Sequence, residues 1–442
     1  MKRLLSEYGM LPVLLLLAAY YSWATWGQQQ PTGEAAARQV AAALAGWLPR
    51  GARVLIVART NDEERAFAAE LEKRLASSGL DVAQTVRGTP ADALRAMLAI
   101  VRAKGRLDAV ACTSATRDWR LFDDPGRLGP GLAGARIFSP QSYRWPRFLN
   151  ANNLLNVASQ IAVIAIIAIG MTMVIITGGI DLSVGSLIAL SSVVAALCVV
   201  RLGGEQAGPV GMVLACLAGI AVCAAMGLFS GVMVTFFDIP PFIVTLSIML
   251  VGSGVALQEA QGQSISKIPA SFVWLGGGKT LGGVPNSVIL MLLLYAAAHF
   301  AMSRMAIGRY IYAVGGNRQA ARLSGVPVAG VLLLVYTLSG ALAGVAGIVL
   351  ASQLKSGSPI YGTGYELLVI AAVVVGGTSI SGGEGNVLKT LIGALIIAVI
   401  QNGMNLTGIA SYPQKTVLGL VILAAVLLDT LKRKGFLRLA PG

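Results

Sequence analysis

Ten apolar runs set the terms for what this chain can fold into. They cover residues 10–26, 153–177, 182–200, 209–236, 240–258, 286–303, 327–352, 366–380, 386–404 and 412–430. Crossing hydrocarbon takes about 20 mostly apolar residues in a helix, which pairs its backbone N–H and C=O groups internally. Only 12% of the chain is charged, against roughly 25% in soluble domains. The pattern predicts an all-α polytopic membrane protein of about ten transmembrane helices, with the lipid bilayer as its first partner.

Lysine and arginine in short connections orient such a chain, because basic segments stay on the cytoplasmic side. Segment 304–325 carries Arg304, Arg309, Arg318 and Arg322 and no acid. The residues after 430 carry Lys432, Arg433, Lys434 and Arg438, and the start carries Lys2 and Arg3 against Glu7. Placing all three inside requires an even number of crossings between any two, which ten spans satisfy with both termini cytoplasmic. The net charge of +14 is thus read as topology, and no nucleic-acid partner is expected.

Residues 27–150 interrupt the apolar pattern, with 18 of the 34 basic residues and 12 of the 20 acids. Segments 51–59, 80–88 and 107–114 have the short apolar character of buried strands. Between them, 61–79 and 89–105 are amphipathic, with Asn61 and Thr89 as N-caps, Pro90 at the first helical position and Gly79 as a stop. The alternation predicts a small βαβαβ insert with a parallel sheet, extracytoplasmic by the orientation above. The expected organisation is 1–26 as tail and first span, 27–138 as the insert, and 139–442 as the transmembrane domain. A cleaved signal peptide is the alternative for the first run, which has no clear small-x-small site before Gly27.

GGIDLSVG (178–185) and GGTSISGG (376–383) echo one another, and each interrupts two apolar runs. Matched glycine-interrupted segments point to a transport pathway. Between Asp124 and Glu205, Asp181 is the sole acid, and a carboxylate at bilayer depth is costly unless it faces protein or water. Ile180, Leu182 and Val184 alternate with Asp181, Ser183 and Gly185, a period that suits an extended connection. A cavity-lining break and an interfacial turn both fit this spacing. The pathway candidates are Gly179, Asp181, Ser183, Gly185, Gly377, Ser379 and Ser381, with the polar Gln401 and Asn402 near a helix end. Glu366, Glu384 and Lys389 read as anchors at run edges.

Enzyme chemistry has little to build on. A single histidine, His299, supports neither a metal cluster nor a Ser-His-Asp triad. Cys112, Cys198, Cys216 and Cys223 form no CxxC pair and read as small buried hydrophobes. Gly278-Lys279-Thr280 looks like the end of a phosphate loop, but Val273 stands where that motif needs glycine. No cofactor or metal is expected, and nucleotide chemistry would have to come from another protein. In the basic segment, Asn317 can cap a short helix, RQAARLS, that ends before Gly325. Ala320, Ala321 and Leu323 beside Arg318 and Arg322 give that helix a face suited to docking.

Three ordered blocks carry a resemblance: NLLNVASQIAVIAIIAIGMTMVIITGGIDLSVGSLIAL, GRYIYAVGGNRQAARLSGVPV and GTGYELLVIAAVVVGGTSISGGEGNVLKTLIGALIIAVIQNGMNLTGI. Over roughly 150–430 the chain resembles the permease subunits of ribose-type ABC sugar importers. The resemblance implies a permease in a bacterial inner membrane that pairs with a second copy. It also implies cytoplasmic ATPase subunits and a periplasmic sugar-binding protein as partners. It assigns ATPase coupling to Gly315, Gly316, Asn317, Ala321, Arg322 and Gly325, and no sugar-contact residue. The insert departs from the family, and residues 51–124 resemble part of one lobe of a sugar-binding protein. The expected function is translocation of a monosaccharide or related solute. A membrane receptor and an ion-coupled carrier, the latter needing Asp181 to titrate, are the alternatives.

Overall fold

The computed structural model describes residues 10–103 and 105–433. Lys2, Arg3, Lys434 and Arg438, used above for orientation, lie outside the described residues. The chain divides into two compact units, Trp26–Arg147 and the remainder. It opens with helix α1 (Leu11–Ala24), which belongs to the larger, helical unit.

The smaller unit contains β1 (Trp26–Gln29), α2 (Gly33–Trp47), β2 (Arg53–Ala58), α3 (Asp62–Ser77), β3 (Asp81–Arg87), α4 (Pro90–Arg102), β4 (Ala109–Cys112), α5 (Ser114–Arg117), β5 (Arg136–Phe138) and β6 (Tyr143–Pro146). Strands β3-β2-β4-β5 form a parallel sheet in that order. Side chains alternate across β2, so Val54, Ile56 and Ala58 pack under α2 and α3 while Leu55 and Val57 pack under α4. Both faces are therefore covered, which explains why β2 is an unbroken apolar run. The unit reaches Arg147 rather than 138, because β6 returns antiparallel to β1, pairing Trp26 with Pro146 and Gln29 with Tyr143. Helix α2 and strand β5 extend the βαβαβ core.

Local chemistry sets the helix starts. Asn61 Oδ1 accepts the Glu64 N–H at 2.8 Å, and three acids in the first turn of α3 face its positive end. At α4, Asp92 accepts from the Thr89 N–H at 2.8 Å and the Thr89 hydroxyl at 2.7 Å. These two bonds, with Arg95 beside them, pull the Asp92 carboxyl down to about 2. A depressed native value means the capping box stabilises the fold fully above about pH 4, and the gain is lost as pH falls through the native value. The unfolding midpoint of Asp92→Ala is expected to lie below that of the unaltered chain near neutral pH. The two should converge towards about pH 2, and a difference indifferent to pH would refute this origin. Burial pushes the Cys112 thiol in β4 up to about 12, which leaves it inert.

The helical unit continues with α6 (Ala151–Ile176), α7 (Val184–Arg201), α8 (Pro209–Phe236), α9 (Pro241–Glu259), α10 (Asn286–Arg304), α11 (Ala306–Gly316), α12 (Arg318–Leu323), α13 (Val328–Leu354), α14 (Tyr365–Val375), α15 (Val387–Leu406) and α16 (Ser411–Arg433). Seven helices among the described residues are long and apolar enough to cross a membrane: α6, α7, α8, α9, α10, α13 and α15. Helices α1 and α14 are apolar but shorter. With 11 residues, α14 is about 16 Å long, half a hydrocarbon thickness. The run at 366–380 is thus a half-length helix that stops at its glycines.

Helix α13 runs through the core, packed against α6, α7 and α8. Its seam with α8 is made of small residues. Gly219, Cys223, Gly227 and Gly231 recur every fourth position on α8; Cys223 and Gly227 meet Gly340 and Gly344 of α13, Gly231 meets Leu333 and Tyr336 one to two turns earlier, and Gly219 lies against Ser191 of α7. A Cβ on Gly340 would overlap the Cys223 carbonyl, and one on Gly227 the Tyr336 carbonyl. Such residues let backbones approach closely where lipid supplies no hydrophobic drive between helices.

Candidate functional site

Both glycine pairs end a helix in the same way. After α6, the Gly178 N–H donates to Ile175 C=O at 2.9 Å and the Gly179 N–H to Val174 C=O at 3.0 Å. After α14, the Gly377 N–H donates to Val374 C=O at 2.8 Å and the Thr378 N–H to Val373 C=O at 3.2 Å. This paired ending needs a left-handed residue, which glycine adopts freely. That residue is Gly178 (φ +78°) in one copy and Gly377 (φ +89°) in the other. The echo therefore repeats the geometry with a one-residue shift.

Beyond Gly178 the chain leaves the helix and runs without regular structure to Ser183. A Cβ on Gly185 would overlap Glu366 and the Gly362 carbonyl, which lie at the N-terminal end of α14. Gly178 meets Gly382, beyond the C-terminal end of α14. The stretch from Gly178 to the first turn of α7, which holds Gly185, thus runs along α14 from one end to the other.

Asp181 sits in the middle of this stretch, 2% exposed. Its Oδ1 accepts the Ser183 N–H at 3.0 Å and the Ser183 hydroxyl at 2.6 Å. Its Oδ2 accepts the hydroxyl of Ser339, near the middle of α13, at 2.7 Å. The neighbouring Ile180 carbonyl accepts from Thr245 Oγ1 of α9 at 3.1 Å. The break is therefore tied to two other helices, near the middle of α13 and near the start of α9. Tyr336, one turn before Ser339, packs its buried hydroxyl against Gly179, and that oxygen has no hydrogen-bond partner.

The second break folds back on the first. The Gly383 N–H donates to the last carbonyl of α6, that of Ile176, at 2.9 Å. Helix α11 ends in the same place. A Cβ on Gly315 would overlap the Ile176 carbonyl oxygen and lie 2.7 Å from the Gly383 nitrogen. Tyr312 Oη, one turn earlier, donates to Gly385 C=O at 2.8 Å. Thr172 and Thr390 add a hydroxyl contact of 2.9 Å between α6 and α15. Three backbone segments, 176–179, 382–385 and 315–316, thus form one junction, possible because glycine occupies each contact.

Asn317 follows directly and caps α12, its Oδ1 accepting the Ala320 N–H at 2.9 Å. The helix offers Arg318, Arg322 and Leu323 outward, with Leu323 90% exposed. Ala321, expected on the docking face, is instead turned inward at 5% exposure. Gly325 takes the left-handed conformation that stops the helix (φ +81°).

The pathway residues named from sequence divide among three places. Gly179, Asp181, Ser183 and Gly185 lie on the first break, with Gly377, Ser379 and Ser381 on the second. Ser379 is buried and Ser381 exposed. Gln401 and Asn402 stand near the other end of α15, about 20 Å along the helix. There Asn402 exchanges two hydrogen bonds with Asn153 of α6, at 3.0 and 2.9 Å. They are not part of the junction, because a helix separates by its rise what the sequence places on one run. Ser339, Tyr336, Thr245 and Tyr312 escaped the sequence reading. For Ser339, Tyr336 and Thr245 the sole signal is a hydroxyl inside an apolar run, while Tyr312 lies in the basic segment 304–325.

A family model described as the permease component of the branched-chain amino acid transport system matches residues 153–426. The chain belongs to this permease family. The matched segment begins after the Trp26–Arg147 unit and includes both breaks and the junction. The ribose import permease protein RbsC of Escherichia coli (strain K12) is 46% identical over 256 residues, 57% of this chain and 77% of the relative. That of Bacillus subtilis (strain 168) is 42% identical over 61% of this permease and 82% of its own length. The fructose import permease protein FrcC of Rhizobium meliloti is 36% identical over 57% and 70%. No solved structure matches the chain.

Proposed function

We propose that this permease is the membrane subunit of an ABC importer carrying a monosaccharide or a related solute across a bacterial inner membrane. A separate ATPase subunit supplies the energy. The relatives named for ribose and fructose import support the solute class. The observation that carries the mechanism is the junction. A push delivered to α12 reaches Gly315 and Gly316, which touch both glycine breaks by backbone contact. The first break continues to Asp181 and its bond to α13. ATP-driven movement of the α11–α12 segment therefore shifts the two discontinuous helices together, and the bundle alternates its access.

In this reading α12 lies on the cytoplasmic side with both termini, and the Trp26–Arg147 unit is extracytoplasmic. A second permease copy and a periplasmic sugar-binding protein complete the assembly. The ion-coupled alternative needs Asp181 free to exchange a proton or cation, whereas its oxygens already accept three bonds from neutral donors. The test is reconstitution in liposomes with the cognate ATPase and binding protein. ATP-dependent uptake of ribose, allose or fructose is expected, without dependence on a proton or sodium gradient. ATP hydrolysis that no sugar stimulates, or uptake that follows an ion gradient, would overturn the proposal.

A further inference from the structure

Helix α6 is sealed along most of its length and open at its start. Every residue from Ile161 to Thr177 is buried, whereas Asn152, Asn156 and Gln160 are exposed. These three amides stand four residues apart and share one helix face. Continued inward, that face reaches Val163 and Ile167, 1% and 0% exposed. It is polar and open at one end and apolar and closed beyond it.

The neighbours define what the open face looks into. Going round the helix, the amide face is bounded on one side by Asn153, bonded to Asn402 of α15. On the other side lies Ser159, whose hydroxyl is 3.1 Å from that of Ser287 on α10. Gln353 of α13 donates to the carbonyl and hydroxyl oxygens of Ser159 at 2.9 and 3.2 Å. Helices α10 and α15 also pack against each other. The amides therefore face the wedge where α6, α10 and α15 converge. Exposed amides on an apolar span are costly against hydrocarbon and at ease against water.

We infer that this wedge is a water-filled recognition crevice for a polyhydroxylated solute, with Asn156 and Gln160 making the contacts. Resting on the importer reading, it names where the solute is first bound. A sugar hydroxyl is both donor and acceptor, and a primary amide offers both to it. The flanking Ser159, Ser287 and Gln353 are bonded to protein and hold the wall in place. Below, Val163 and Ile167 close the crevice, so the solute waits there until the bundle moves.

Two measurements test this in the full chain with its ATPase. First, Asn156→Ala and Gln160→Ala are each expected to raise the half-saturating sugar concentration by roughly fivefold, the worth of about one hydrogen bond. Equal half-saturation, or hydrolysis and uptake falling in proportion, would overturn the assignment. Second, single cysteines are placed at these positions after the four native cysteines are replaced by alanine. Asn156→Cys and Gln160→Cys are expected to react with a membrane-impermeant thiol reagent, more slowly when ribose, allose or fructose is present. Val163→Cys and Ile167→Cys are expected to resist it. Reaction at 160 with a lipid-soluble reagent alone, or at a rate no sugar changes, would overturn the crevice. If the unaltered assembly carries none of the three sugars, the importer reading fails. Sugar protection at Gln160→Cys would still uphold the crevice.

Discussion

Asp181→Ala is expected to lower the stability of the helical unit by on the order of 3 kcal/mol, while Asp181→Asn is expected to be nearly silent. Alanine removes the acceptor for the Ser183 N–H, the Ser183 hydroxyl and the Ser339 hydroxyl together. Ser183 and Ser339 are 1% and 0% exposed, so water does not replace the lost partner. Each buried donor left unpaired costs about 1–3 kcal/mol, offset in part where a hydroxyl turns to a nearby carbonyl. Asparagine keeps one acceptor oxygen for Ser183, and its amide can donate to the Ser339 hydroxyl, which accepts equally well. The measurement is thermal unfolding in detergent for the two variants, paired with ATP-dependent uptake. Equal destabilisation by both would show that the charge itself holds the break. Loss of uptake in a stably folded Asp181→Asn would give the carboxylate a transport role beyond holding the break.

Gly315→Val is expected to abolish the link between ATP hydrolysis and uptake. Its side chain would enter the space now filled by the Ile176 carbonyl and the Gly383 nitrogen. Those atoms are backbone and cannot rotate away, so α11 must lift off both breaks. Overpacking of this kind costs about 1–3 kcal/mol, and here the strain falls on the segment proposed to carry the drive. The expected result is a monodisperse permease that still binds its ATPase through the unchanged α12 face, in an assembly whose ATPase subunit hydrolyses ATP while no solute moves. Tyr312→Phe, which removes the single bond to Gly385 C=O, is the milder companion and is expected to cost about 1 kcal/mol. Full coupling in Gly315→Val would mean that the push travels by another route. A protein that never folds would leave Tyr312→Phe as the decisive variant, with a lowered ratio of solute moved to ATP hydrolysed as its readout.

Much of this protein was legible before any coordinates. Apolar runs of span length, a loop with four arginines and no acid, and caps such as Asn61, Thr89 and Asn317 are local. A helix end needs its own residues to pair its first N–H groups, and hydrocarbon demands a continuous apolar stretch. Gly-Gly at 178 and 376 announced two helix ends for the same reason, since the paired ending is made from the last turn alone. Where length depends on how far a run stays helical, the reading was weaker, and 366–380 became the half-length α14. The insert boundary moved to Arg147 because β6 belongs to β1, more than a hundred residues earlier.

The sequence by itself determined a polytopic helical chain, its glycine breaks, a capped basic loop helix and the residues that serve them. The tertiary structure decided which of these meet. Asp181 finds Ser339, Gly315 finds Ile176 and Gly383, and Asn402 finds Asn153 instead of the breaks. Each pairing joins residues far apart in the chain and exists because helices pack in three dimensions, at the junction because glycine lets backbones touch. Periodicity along one segment carries no information about its distant neighbour. The carboxylate in GGIDLSVG was therefore visible from the start, and its role as a pin between a broken helix and α13 emerged when the bundle closed around it.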